Sequence, residues 1–64
     1  MMYLSSNSIC IQQYDALKSI DSKKIIIQNK NVEYEIYGDD LFVFYLSKDE
    51  IKIIGKIKEV HFNE

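Results

Sequence analysis

The sequence predicts an all-β fold, a small antiparallel meander of six to seven short strands rolled into a sandwich or an open barrel. Three observations carry that prediction. Apolar residues recur with a period of two along most of the 64-residue chain. Small polar clusters interrupt the apolar runs at short intervals, as hairpin turns do. The runs themselves are rich in isoleucine, valine, tyrosine and phenylalanine, which suit a pleated surface.

The first expected strand is Met2 to Leu4 and the second Ser8 to Gln13, where Ile9 and Ile11 alternate with Ser8, Cys10 and Gln12. In "QQYDALKSID" the residues Tyr14, Leu17 and Ile20 fall three apart, a local helical spacing. That run is short and lacks a convincing cap, so a strand over Leu17 to Ile20 is preferred. Lys24 to Gln28 follows, apolar on both faces in "KKIIIQ". Val32 to Tyr37 alternates Val32, Tyr34 and Ile36 with Glu33 and Glu35, the pattern of a half-buried strand. Leu41 to Leu46, "LFVFYL", is the next, with Leu41, Val43 and Tyr45 expected on one face and Phe42, Phe44 and Leu46 on the other. Ile51 to Phe62 completes the set. The turns are expected at Asp21 to Lys23, Asn29 to Asn31, Gly38 to Asp40 and Ser47 to Glu50. Nothing divides the chain, so residues 1–64 form one domain.

The two glycines have different expected purposes. Gly38 opens an apparent turn and is expected to supply the positive φ of a tight reversal. Gly55 interrupts an apolar alternation, which points to a bulge, a bend or a close backbone approach. On either side of it, Ile51, Ile53 and Ile57 have one parity, and further on Val60 and Phe62 have the other. One extra residue near Lys58 and Glu59 would bring both sets to the same side.

A chain this short hides only about 60% of the surface that its unfolded form exposes, so added burial is expected. Cys10 is the single cysteine, which excludes an internal disulfide and suits a reducing compartment. Cys10 and His61 together are too few for a structural zinc site, so no metal or cofactor is expected. Association with a second copy or with another protein is the remaining source.

Catalysis is not expected. Cys10 and the lone His61 lie at opposite ends of the chain, and an alternating cysteine is usually a small packed side chain. Asp39 with Asp40, and Asp49 with Glu50, sit in apparent turns, where aspartate serves local hydrogen bonding. Glu33 and Glu35 face outward, and two glycines seventeen residues apart make no phosphate loop. No run approaches the roughly 20 apolar residues that a spanning helix needs, and no secretory leader precedes the first strand, so a cytoplasmic protein is expected.

The net charge is −2 and all eight cationic residues are lysines. Nucleic-acid recognition leans on arginine forks and clustered positive charge, so nucleic acid is not the expected partner; nor is a small-molecule substrate, which needs a pocket that 64 residues can scarcely enclose. The rival reading is a small nucleic-acid-binding barrel using Lys52, Lys56 and Lys58 with Tyr37 and Phe42. The aromatic load on "LFVFYL" favours a protein interface instead, with Phe42, Phe44 and Leu46 as its candidate residues.

From Tyr3 to Phe62, and most specifically from Gly38 to Phe62, "GDDLFVFYLSKDEIKIIGKIKEVHF", the sequence resembles the YabP/YqfC family of bacterial sporulation proteins. The shared pattern is an acidic turn, a glycine-containing strand and a closing apolar, acidic and aromatic tail. The segment "QYDAL" differs from the glycine or small polar residue common there, and the N-terminal extension of longer members is not present. The resemblance implies a mother-cell protein required for endospore formation in Gram-positive bacteria. It further implies no catalytic activity and a membrane-protein partner. Only the structural glycines Gly38 and Gly55 carry over.

Overall fold

The computed structural model describes residues 2–64, and within them the chain is all-β. Its strands are β1 (Met2–Leu4), β2 (Ser8–Gln12), β3 (Ala16–Ile20), β4 (Lys24–Asn29), β5 (Val32–Leu46) and β6 (Glu50–Asn63). All six join one antiparallel sheet in the order β1-β2-β6-β5-β4-β3. Strands β3 to β6 form a meander, and the β1–β2 hairpin pairs onto the far side of β6. The sheet is not closed into a barrel.

Several strand ends differ from the sequence expectation by one residue, and one expected break between strands is absent. Val32 to Tyr37 and Leu41 to Leu46 are the two ends of a single fifteen-residue strand, with Gly38 inside it rather than at a turn. The long β5–β6 hairpin is the spine of the molecule. Strand β4 pairs only with Val32–Tyr37 of β5, and β2 pairs only with Glu50–Ile54 of β6. The sheet is thereby divided into two halves. The first holds β1, β2, the start of β6 and the end of β5; the second holds the end of β6, the start of β5, β4 and β3.

Between the halves the two spine strands slip past one another. Lys58 has no partner between Tyr37↔Glu59 and Gly38↔Ile57, a bulge at the place where the sequence changes parity. Asp40 and Leu41 together stand opposite Gly55, between Asp39↔Lys56 and Phe42↔Ile54. Backbone contact is very close here. A Cβ on Gly38 would fall on the carbonyl oxygen of Lys56, and one on Gly55 would lie 2.7 Å from the carbonyl oxygen of Asp40. Gly55 takes φ +141, whereas the left-handed residue beside Gly38 is Asp40 at φ 52. Gly38 is therefore needed for lack of a side chain, and the positive φ expected of it falls on Asp40 and Gly55.

Bending the spine brings the inner faces of the halves together. Ile9, Ile11, Ile51 and Ile53 from the first meet Ile25, Ile27 and Ile36 from the second, with Leu41 at the bend. All seven isoleucines are essentially inaccessible to solvent. Isoleucine suits this role because its β-branch fixes χ1 while it presents a large apolar surface on a pleated strand. Val43, Ile57, Val60, Tyr34 and Leu17 extend the core at its margins. Among the described residues no buried side-chain nitrogen or oxygen lacks a hydrogen-bond partner.

Candidate functional site

The outer face of the first half can be read off the register. One row across the sheet runs Tyr3↔Cys10↔Lys52↔Tyr45, and the next runs Ser8↔Ile54↔Phe42. The row between them, Leu4↔Ile9↔Ile53↔Val43, points to the core. A further bulge places Phe44 and Tyr45 together opposite the single Lys52. Phe44 consequently lines a shallow depression with Tyr3, Cys10, Glu50 and Lys52.

This corrects the faces expected for "LFVFYL". Tyr45 joins Phe42 and Phe44 outside, and Leu46 pairs with the buried Ile51 on the core side. All three candidate interface residues are nevertheless exposed, Phe42 at 60%, Phe44 at 50% and Leu46 at 55%. Leu46 owes its exposure to the hairpin tip, where no strand of the second half covers it. Tyr3, Tyr45 and Ile54 complete an apolar patch around the Lys52 stem. Sequence reasoning omitted Tyr3, Tyr45 and Ile54, because only the strand order places them beside Phe42 and Phe44.

Polar groups within and beside the patch are engaged locally. The Lys52 ammonium lies 5.3 Å from the Tyr45 ring centroid and 3.9 Å from Glu50. The Cys10 thiol donates to Glu50 Oε2 at 3.2 Å, and Gln12 donates to the same oxygen. Burial, then that bond to Glu50, pushes the Cys10 thiol above its ordinary value. The bonds from Cys10 and Gln12 hold the Glu50 carboxyl below its own. A thiol tuned upward beside a carboxylate is a poor nucleophile at neutral pH.

Asp39 makes ion pairs that link two parts of the frame. Asp39, at the spine crossing, binds Lys23 and Lys58, each at 2.9 Å, tying the bulge to the chain entering β4. The hydrogen bonds from Lys58 and Lys23 draw the Asp39 carboxyl down to about 2. A carboxyl so depressed adds stability that is present above the unfolded value near 4 and disappears as pH falls through about 2. Replacing Lys58 with alanine should therefore move the Asp39 titration, followed by carboxyl-carbon NMR, back toward the ordinary aspartate range. An unmoved titration would remove Lys58 as the cause. Exposed pairs of this kind contribute little to total stability, so the variant should remain folded.

His61 lies on the outer face of the second half, 3.0 Å from Glu59 and edge-on to Tyr37. Glu33 is paired with Lys18, and Glu35 accepts from Tyr37 and Asn63. The rival nucleic-acid set is dispersed along the spine: Tyr37 belongs to one half, Phe42 and Lys52 to the other, and Lys58 is engaged by Asp39. Among the described residues no three histidine, cysteine or acidic side chains converge in a way that could hold a metal ion, and no helix is long and apolar enough to cross a membrane. No family model, curated protein or solved structure matches the chain.

Proposed function

We propose that the chain is a non-enzymatic association domain whose outer aromatic face, centred on Phe42, Phe44 and Tyr45, binds protein, a second copy of this chain included. The observation that carries this reading is the gathering of Tyr3, Phe42, Phe44, Tyr45 and Ile54 on one solvent-facing surface. Small soluble domains scatter such residues singly, and contiguous exposed patches mark interaction sites. Aromatic rings contribute large contact areas at low entropic cost, which makes them the usual anchors of an interface.

The resemblance to the YabP/YqfC family supplies the biological setting of the proposal: endospore formation, on the mother-cell side, beside a membrane-protein partner. The rival nucleic-acid reading requires steeply salt-dependent binding to single strands. On the aromatic face it has Lys52 as its cation, with Glu50 close by, which favours the protein reading.

Association makes stability depend on concentration, since anything that binds the folded chain raises its melting temperature. The wild-type Tm should rise with protein concentration, and that dependence should diminish in Phe42→Ser and Phe44→Ser. A Tm independent of concentration, with both variants melting like the wild type, would remove the aromatic face as an interface of this chain with itself.

A further inference from the structure

Among the described residues the open sheet has four free edges, and three of them are blunted. Strand β1 has three residues, β3 is bulged at Lys18, and the Phe42–Leu46 end of β5 is bulged at Phe44. Short edges and bulges are the ordinary devices against unwanted strand pairing. The end of β6 has neither. From Glu59 to Asn63 it pairs with β5 without interruption, while β2, its neighbour on the other side, stops pairing at Ile54.

Alternation of the ladder fixes where its backbone groups point. Gly38 N–H donates to the Lys23 carbonyl, so even-numbered residues of β5 in this half face β4 and odd-numbered ones face β6. Glu59, His61 and Asn63 accordingly bond toward β5, and Val60 and Phe62 turn their N–H and C=O groups outward. Further back along the same edge, Gly55 and Ile57 donate to Asn7 and Ser6. Among the described residues no strand continues that row past Val60. Beside it runs an open groove lined by Leu4, Ile57, Val60 and Phe62, with Leu4 and Phe62 both more than half exposed. A free edge next to an apolar groove is the arrangement that receives an added strand.

We propose that this edge pairs antiparallel with the same edge of a second copy, about a two-fold axis at His61, joining two sheets into one. The inference rests on the reading of the chain as a self-associating domain and adds a contact separate from the aromatic face. Self-complementarity identifies the occupant. With His61 opposite its own copy, Val60 exchanges two backbone hydrogen bonds with Phe62 of the other chain, and Phe62 with Val60, so all four outward groups on each side are satisfied. Val60 and Phe62 then make aromatic-to-β-branched cross-strand pairs over the groove. Glu59 faces Asn63, so no like-charged carboxylates stand opposite each other.

Two sets of variants test it. Val60→Pro deletes an outward N–H that no described residue accepts, and proline is tolerated on such an edge. In a Cys10→Ser background, His61→Cys places a thiol on the axis, where facing Cα atoms are close enough for a disulfide; Glu59→Cys sits roughly 14 Å from its own copy. The expected results are a smaller assembly for Val60→Pro with the β spectrum retained, and a covalent dimer for His61→Cys but not Glu59→Cys under copper phenanthroline. Should Val60→Pro unfold, the two cysteine variants decide. Equal cross-linking of both cysteines, or none for His61→Cys, would overturn the edge pairing. If Phe44→Ser alone then reduced the assembly, the aromatic-face reading would stand without it. If Phe44→Ser assembled like the wild type while His61→Cys cross-linked, the edge would stand and the aromatic face would fail.

Discussion

Gly38→Ala is expected to leave the chain largely unfolded at 25 °C, with a far-UV circular dichroism spectrum of a disordered polypeptide. The new methyl group would occupy the position of the Lys56 carbonyl oxygen, which belongs to the backbone of the paired strand and cannot rotate away. Relief requires β5 and β6 to separate at the crossing, and that movement would break the pairing that bends the sheet. Leu41, Ile57 and the halves' facing isoleucines would lose contact together. Gly55→Ala should act similarly, since it adds a left-handed backbone strain of about 1–3 kcal/mol to a clash with Asp40 and Leu41. A domain of this length has roughly 3–10 kcal/mol of total stability, so neither change is affordable. A cooperative urea transition at the wild-type midpoint for Gly38→Ala would show that the strands do not cross as described.

Ile36→Ala and Ile53→Ala should each cost about 2–5 kcal/mol, because both side chains are inaccessible and truncation leaves a cavity that a β-branched core cannot readily fill. They come from opposite halves of the sheet. If those halves share one core, both variants should lower the same single transition, seen identically by tyrosine fluorescence and far-UV circular dichroism. Ile20→Ala supplies the contrast, since Ile20 is 58% exposed on edge strand β3 and its loss should stay within about 0.5 kcal/mol. Two separate transitions, one touched by each core variant, would mean that the halves fold independently.

Much of the fold was legible from residue order because period-two patterning is a direct consequence of strand geometry. The preference for strand over helix at Leu17 to Ile20 agrees with β3, and the parity change after Ile57 corresponds to the unpaired Lys58. Gly38–Asp39–Asp40 was misread as a turn for a physical reason. The residue types that reverse a chain, glycine for space and aspartate for a left-handed φ, are the same ones that let a strand cross its partner closely. The bulge at Phe44 was equally hidden. In a run apolar on both sides, moving one residue to the opposite face changes no hydrophobic pattern, so the register carries no signal. Consequently Phe42 and Phe44 could be proposed as surface residues, whereas Tyr45 could not. The grouping of Tyr3 and Ile54 with them depends on β2 pairing with β6 across some forty residues of sequence, which no local pattern encodes.

The aromatic face also bears on the thinness of the core. Seven isoleucines and one leucine fill the interior, while five large apolar side chains cover a single outer surface. Burying that surface against another chain would supply the extra apolar area that a 64-residue sheet lacks alone. Molar mass by light scattering, from low to high micromolar concentration, measures this directly. The expected result is a wild-type mass that rises to a multiple of 7.6 kDa and is reduced in Phe42→Ser and Phe44→Ser. A wild type that remains at 7.6 kDa at the highest concentration, with both variants as stable as the parent chain, would contradict it.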